Sequence, residues 1–316
     1  MILEIQHETR LEYASPVTEE FTEVRMEPGS DADQSCRSFH LRVEPPAEVA
    51  RYQDGFKNRV HHFNLLAPHT HVNILAASVV ETHPQRFDPE STTGVAPLVQ
   101  GALPLDTLAY LGFHGPVRVT PLLDDVLEAV GPRTGANAGE TMLRTSRFIK
   151  ERFIYAQDVT HASSPIDDVL REGKGVCQDF AHLMIAILRS FGIPTRYVSG
   201  YIHRPGQESH SHAWVESWLP GIGWVGVDPT NDCQIDEHFV KIAVGRDFTD
   251  VPPNKGVSRG SADQSISVRV ETRTLERLPP LTWQEQLPPL QVPLRAILPF
   301  RRPVSAMTIE MEQQQQ

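Results

Sequence analysis

The sequence predicts an α+β chain in which a β-rich N-terminal module precedes a core that combines helices with an antiparallel sheet. Between residues 2 and 81, apolar and polar side chains alternate in short runs, as they do in strands with one buried side. From about Pro121 the apolar residues adopt helical spacing, and strand-like alternation returns beyond residue 195. This change of period indicates two modules of different architecture.

Turn residues and composition divide the chain into three ranges. A sandwich-like or barrel-like β module is expected over residues 1–100, where Gly and Pro separate the alternating runs. A second module is expected over 105–275. Within it, residues 246–262 resemble a loop, and alternation at 265–272 predicts a strand that returns to the N-terminal module. The Pro-rich tail over 279–316 is predicted to be extended and partly disordered.

Composition excludes several classes of function. The chain has 316 residues, of which 40% are hydrophobic, as in ordinary globular proteins. With 29 basic and 40 acidic side chains its net charge is -11, which disfavours nucleic acid and indicates substrates that are not strongly acidic. The sequence contains no apolar run of about 18 residues, so no membrane association is expected.

Cysteine usage indicates a reducing compartment. Cys36, Cys177 and Cys233 are far apart in the sequence, are odd in number and form no metal-binding pair. The first residues do not have the basic and apolar segments of a signal peptide. We therefore expect a cytoplasmic protein without structural disulfides.

One helix places a cysteine where a thiolate is favoured. After the glycines at 173 and 175, apolar residues recur on one helical face until Gly192 and Pro194 end the helix. Cys177 falls in the first turn, where unpaired backbone N–H groups and the helix dipole stabilise negative charge. The alternative is a small buried core cysteine, but the partners that follow favour a nucleophile.

A predicted hairpin supplies those partners. Residues 211–219 and 224–231 alternate as strands around a turn at 220–223. Folding the chain at this turn brings His212 and Asp228 together on neighbouring strands. A thiol, an imidazole that moves its proton and a carboxylate that orients the ring form a nucleophilic triad.

These segments resemble the transglutaminase-like superfamily, whose core is papain-like. The resemblance covers about residues 1–275 and rests on four blocks: GKGVCQDFAH around Cys177, GIPTRYVSGY, HAWVE from His212, and GWVGVDPTN around Asp228. The order Cys, His, Asp is that of the family. The opening residues also resemble the β-rich N-terminal region of bacterial members.

The resemblance implies acyl transfer on peptide or side-chain amides through a thioester, with an amine or water as the acceptor. It therefore implies a protein or peptide substrate and leaves transglutaminase, peptidase and deamidase open. We expect the Cys177 N–H to contribute to an oxyanion hole, with Gln178 and Tyr155 as candidates for the second donor. Trp214 is expected to belong to the wall of the site or to the core, and Asp179 to cap the helix or bind a substrate amine.

No metal or cofactor is expected. The chain has 14 histidines, but His69, His71 and His210 have no matched set of Cys or carboxylate ligands nearby in the sequence. His210 is an alternative base two residues from His212; the family pattern favours His212. No EF-hand calcium loop is present.

Two alternatives to this enzyme class stay open. One is an arylamine acetyltransferase, which uses a similar triad, although the blocks after Cys177 argue against it. The other is a catalytically silent binding or scaffold protein, as in family members that have lost the triad. The oligomeric state is not readable from the sequence.

Overall fold

The computed structural model describes residues 1–84, 86–92, 103–131, 137–157, 159–161, 164–206, 209–260 and 262–279. The strands are β1 Ile2–Val24, β2 Gln34–Glu44, β3 Val49–Gln53, β4 Arg59–Leu65, β5 His69–Thr82, β6 Ile154–Tyr155, β7 Lys174–Gly175, β8 Thr195–Ile202, β9 Ser211–Leu219, β10 Gly223–Asp228, β11 Cys233–Gln234, β12 Phe239–Gly245, β13 Asn254–Arg259 and β14 Gln264–Thr274. The helices are α1 Pro121–Val130, α2 Ala138–Arg152, α3 Ile166–Glu172 and α4 Cys177–Ser190. None of the helices in these ranges is long and apolar enough to cross a membrane.

The long strand β1 organises the N-terminal sheet. Its first half pairs with β5 and β14, and its second half pairs with β4 and β13. The pairing with β5 shifts register between Glu12 and Val17, so the seven-stranded antiparallel sheet changes partners there. Leu11, Val24, Phe63 and Ile74 from both halves share one buried cluster. The sandwich-like packing of this region follows from that shared core.

The second sheet carries the helices of the core. Its order is β11-β10-β9-β8-β12, all antiparallel. Helix α4 packs against β8 and β9, and α1, α2 and α3 contact α4. From Ala181 to Leu188 the residues of α4 are all buried, which makes this apolar helix the centre of the largest core cluster. The α+β prediction is thus confirmed.

Side-chain amides hold the two sheets together. The Gln34 amide donates to the Lys241 carbonyl at 2.7 Å and accepts from the Lys241 N–H at 2.8 Å. Asn58 makes the same pair of bonds with the backbone of Val244, both at 2.8 Å. These bonds satisfy backbone groups of β12 that would otherwise be buried without partners.

Several sequence predictions need correction. The N-terminal region was expected to consist of short strands, but β1 runs from Ile2 to Val24 because its second half finds new partners. The stretch at 246–262 was taken as a loop, yet it contains β13, which pairs with β1. Strands β3 and β12 were not predicted. Their short or continuously apolar sequences have no clear alternation, so only tertiary pairing reveals them.

The strand predicted at 265–272 is present as β14 and pairs with β1, as expected. Together with β13 it places residues 254–274 in the N-terminal sheet, although the sequence assigned them to the range 105–275. The proposed boundaries at 100, 105 and 275 remain predictions. Beyond residue 279, the Pro-rich tail lies outside the described residues, as does the whole segment 93–102.

Candidate active site

Two glycines and one aspartate place Cys177 at the start of α4. Gly173 ends α3 with φ +65°, a left-handed conformation that favours glycine. A Cβ on Gly175 would lie 2.9 Å from the Cβ of Asp179, so only glycine lets the chain pass. The Asp179 carboxylate accepts from the Val176 N–H at 2.8 Å and from the Thr160 hydroxyl at 2.6 Å. This capping fixes the turn that carries the thiol.

The hairpin of β9 and β10 brings His212 and Asp228 together. Its register pairs Val227 with Val215, so Asp228 lies opposite Trp214 and diagonal to His212 on the same face. His212 Nε2 and Asp228 Oδ2 are 2.8 Å apart. The hairpin prediction was therefore correct: Leu219 pairs with Gly223, so the turn is centred on Gly221, within the predicted range 220–223.

The segment after β10 wraps around the Asp228 carboxylate. Oδ1 accepts from the backbone N–H groups of Thr230 at 2.8 Å and Asn231 at 3.3 Å. Oδ2 accepts from the side-chain amide of Asn231 at 2.5 Å as well as bonding to His212. Because Asp228 is fully buried, these donors are what keep its negative charge in place.

Electrostatics favour the charged form of the imidazole. Burial lowers the pKa of His212, but the negative charge of Asp228 and hydrogen bonds with Asp228 and Cys177 outweigh it and raise the pKa to about 10. The Asp228 pKa is lowered; burial opposes this shift, and the charge of His212 drives it. Since Nε2 bonds to Asp228, Nδ1 is the ring nitrogen left for Cys177. At neutral pH the pair presents an imidazolium to the thiol.

The triad opens on a cleft of about 760 Å³ between the two sheets. One wall comes from the core sheet and its loops, and the other from β14. The described residues that line it are Lys150, Tyr155, Gln157, Cys177, Ile202, Arg204, Ser209, His210, Ser211, His212, Thr230, Asn231, Val268, Arg269, Val270, Glu271 and Thr272. Most of these side chains are polar or charged, so the cleft is suited to a hydrated, polar substrate.

Comparison with known proteins places this site in a family. The family model of the transglutaminase-like superfamily matches residues 128–229, which contain all three triad residues. The model of the bacterial transglutaminase-like N-terminal region matches residues 3–81. The uncharacterized protein ML0607 of Mycobacterium leprae is 35% identical over 282 residues, covering 86% of this chain and 99% of that protein. The chain belongs to the transglutaminase-like superfamily.

Two further comparisons concern part of the sequence and the fold. A Pseudomonas aeruginosa protein named protein-glutamine gamma-glutamyltransferase is 33% identical over 131 residues, which are 38% of this chain and 19% of that protein. A solved structure from Cytophaga hutchinsonii, named a "putative cysteine protease", has a TM-score of 0.74 and 23% identity. It covers 88% of this chain and 93% of its own, so both regions share their fold with it.

The other four candidate residues lie in different places in this transglutaminase-like core. Tyr155 lines the cleft with its side chain half-exposed, and burial raises the pKa of its hydroxyl to about 12, so it is a hydrogen-bond donor at neutral pH. Gln178, Asp179 and Trp214 are buried and are not among the described lining residues. Asp179 therefore caps α4 and does not reach the cleft to bind an amine.

Trp214 supports His212 from behind. Its ring stacks on the imidazole with centroids 6.3 Å apart, and Phe239 closes on Trp214 edge to face. Gly200 makes room for it, because a Cβ there would lie 2.5 Å from the indole. His210, the alternative base, lines the cleft but is exposed and makes no described bond to Asp228.

Sequence reasoning missed Asn231, Lys150 and Arg204. Asn231 follows Asp228 in an Asp-Pro-Thr-Asn run, and that spacing is a signal for an aspartate turn. Lys150 and Arg204 lie on separate elements and give no local signal. Among the described residues, one set of metal-type donors comes close together, Asp236, Glu237 and His238, and it does not line the cleft.

Proposed function

We propose that this protein is a thiol acyl-transfer enzyme that acts on peptide or side-chain amides through Cys177, His212 and Asp228. The observation that carries the proposal is the buried 2.8 Å contact between His212 and Asp228, with the thiol hydrogen-bonded to the same imidazole and facing a polar cleft. Family membership and the two named relatives support the same class of chemistry.

In the proposed first step, the Cys177 thiolate attacks the amide carbon and a C–S bond forms. The His212 imidazolium donates its proton to the leaving nitrogen, the C–N bond breaks and ammonia or an amine departs. A thioester and a neutral imidazole remain. Asp228 keeps the ring oriented and stabilises its charged form before and after the transfer.

In the second step, neutral His212 removes a proton from the acceptor, which attacks the thioester. Water as the acceptor releases a carboxylic acid, and an amine forms a new amide. Both restore the thiolate and the imidazolium. The polar lining of the cleft supports access by water, and the same space admits an amine.

Charge on the substrate oxygen is stabilised by the start of α4. The first N–H groups of a helix have no partner within the helix, and Cys177 lies at the first position of α4. One such donor is worth about 3–4 kcal/mol of barrier in comparable sites. Tyr155, which also lines the cleft, is the second donor that we propose.

Selective alkylation tests the thiol. Burial raises the pKa of Cys36 to about 11 and that of Cys233 to about 12, so both are slow internal controls. Iodoacetamide at pH 6 should label Cys177 at least ~10-fold faster than either control, as read by mass spectrometry of the peptides. This excess should disappear in His212→Ala. Equally slow labelling of all three would instead favour the scaffold alternative.

The ratio of acid to amide product shows whether water or an amine is the acceptor for the thioester. A glutaminyl peptide incubated with the enzyme in water and with increasing concentrations of a primary amine gives acid and amide products. Amide product that dominates at millimolar amine would establish a transglutaminase. Acid product throughout would establish a hydrolase. Neither product, with Cys177 fast to alkylate, would mean that this amide is not the substrate.

A further inference from the structure

The wall of the cleft next to the triad carries positive charge, although the whole chain carries -11. Lys150 lies at the end of α2 and Arg204 follows β8, and both line the cleft beside Thr230 and Asn231. The overall charge indicated substrates that are not strongly acidic. Charges that line the cleft act more strongly on a bound group than distant surface charges do, because the Coulomb energy falls with distance and salt screens charges more than about 10 Å away.

Both cations are held by the segment that wraps the triad carboxylate. Lys150 Nζ donates to the Thr230 carbonyl at 2.8 Å. Arg204 Nη2 donates to Asn231 Oδ1 at 2.7 Å, while the amide nitrogen of Asn231 donates to Asp228. The positions of both cations relative to the triad are therefore set by hydrogen bonds.

Most of their donor capacity remains for a ligand. A lysine ammonium has three N–H donors and a guanidinium has five, and the described bonds use one of each. Within the described ranges no carboxylate lies within ion-pair distance of Lys150 or Arg204. The opposite wall differs, since Arg269 is paired there with Glu271 at 2.5 Å and the two charges cancel. Among the described lining residues, the unbalanced positive charge is thus on the triad side.

We propose that Lys150 and Arg204 form a subsite for a carboxylate of the substrate, next to the amide that Cys177 attacks. This assignment rests on the proposed function and adds the substrate class: peptides or amides that carry an acidic group near the reacting carbonyl. The planar fork of Arg204 suits two-point binding of a carboxylate, and the Lys150 ammonium adds a point charge. Tyr155, which lies near Arg204, completes the polar wall.

Two alkylating reagents of almost equal size test the subsite without any substrate. Iodoacetate is an anion and iodoacetamide is neutral, and both react at the thiol. The rate constant for iodoacetate divided by that for iodoacetamide, both measured at Cys177 by mass spectrometry, reports the electrostatic potential of the cleft. In Lys150→Gln and Arg204→Gln the ratio should fall about three- to tenfold, and salt should lower it in the wild type.

Matched variants separate charge from structure. Arg204→Lys keeps the charge and should keep most of the ratio. Arg147→Gln removes a cation one turn earlier on α2, which is exposed, pairs with Asp232 and lies outside the described lining. That ratio should stay within about twofold of the wild type. Any disturbance of the triad by Arg204→Gln alters both rate constants and leaves their ratio informative.

The outcomes distinguish this inference from the proposed function. Fast alkylation with a ratio that neither Gln variant changes would overturn the subsite and leave the thiol enzyme standing. Slow alkylation by both reagents in the wild type would contradict the proposed thiol enzyme. The change of the ratio among the variants would still show whether Lys150 and Arg204 attract an anion to the cleft.

Peptide substrates then identify the source of the carboxylate. A glutaminyl peptide is compared with matched peptides that carry a neighbouring Glu side chain or a free terminal carboxylate. At least one acidic form should have a higher kcat/KM, and Lys150→Gln should reduce that preference at least about threefold. Equal kcat/KM for the neutral and both acidic forms would contradict the subsite.

Discussion

Strand β9 carries two buried ionic groups, one at His212 and one at Glu216, with Trp214 between them. Glu216 accepts from Arg196 at 2.8 Å and from Lys241 at 2.7 Å, and neither cation is among the described lining residues of the cleft. His212 bonds to Asp228 on a neighbouring strand and to the thiol of Cys177. Both side chains are buried, but only His212 is among the described residues that line the cleft.

The difference shows what separates a structural ion cluster from a reactive one. Both oxygens of Glu216 accept hydrogen bonds from cations, so the carboxylate stays ionised at neutral pH and exchanges no proton with a reacting group. In the triad, one carboxylate supports one imidazole whose other nitrogen faces a nucleophile at the cleft. Loss of a member should therefore reduce reactivity in the triad and stability in the Glu216 cluster.

The largest effect is expected for Cys177→Ala. Removing the nucleophile should lower kcat/KM for an amide substrate at least ~10³-fold, because no thioester can form. The free energy of unfolding should change by about 1 kcal/mol or less, since only one small atom is lost. Steady-state kinetics and urea unfolding on the same preparation measure both. A loss of several kcal/mol in the free energy of unfolding would contradict a role for Cys177 in reactivity rather than in stability.

Asp228→Asn should follow, with a loss of ~10²–10⁴-fold in kcat. Without the carboxylate charge, burial dominates and the pKa of His212 falls from about 10 toward or below its ordinary 6.5. The imidazolium is lost as pH rises through the folded pKa, so the alkaline limb of kcat should move down by more than ~2 pH units. An unmoved alkaline limb would show that Asp228 does not control the ring.

Glu216→Gln should leave the chemistry intact and reduce stability. The substitution removes the buried carboxylate that the partly buried Arg196 and Lys241 share, while Lys241 keeps its ion pair with Asp31, so the free energy of unfolding should fall by about 3 kcal/mol. The matched control is Glu12→Gln, whose partner Arg10 is exposed, with an expected change of about 0.5 kcal/mol or less. Denaturant unfolding measures both, and kcat per folded Glu216→Gln molecule should stay within about threefold of the wild type.

The Glu216 cluster also predicts a response to acid. Burial opposes ionisation, but the charges of Arg196 and Lys241 lower the Glu216 pKa to about 2 from 4.5. Since the folded pKa is depressed, its stabilisation is fully present above about pH 4.5 and is lost as pH falls toward 2. Between these pH values, wild type should lose more stability than Glu216→Gln; equal losses would contradict this role.

The smallest effect is expected at the helix cap. Asp179→Ala removes the acceptor for the Val176 N–H and the Thr160 hydroxyl and should cost about 1 kcal/mol in free energy of unfolding. Thr160→Val is the matched variant that removes only the second bond, and it should cost less. Thermal unfolding of both measures the contributions; a larger loss in Thr160→Val would show that capping is not the main role of Asp179.

How far the sequence predicted this molecule depends on how local each signal is. Cys177 at a helix start and the hairpin joining His212 to Asp228 lie in short segments whose periodicity and turn residues are sufficient. Strand β13 depends on a partner more than two hundred residues away, and the second half of β1 depends on both β13 and β4, so no local pattern reveals them. Lys150 and Arg204 meet only when two elements pack, and neither has a motif.

The protonation state of the His212 ring decides whether the triad holds an imidazolium beside Cys177. Nuclear magnetic resonance of protein with ¹⁵N-labelled histidine, titrated from pH 5 to 11, reports when each imidazole loses its proton, and His212→Gln assigns the signal. We predict that His212 stays an imidazolium at neutral pH and deprotonates near pH 10. A ring that is neutral at pH 7, or that titrates near 6.5, would contradict the charged imidazole beside Cys177.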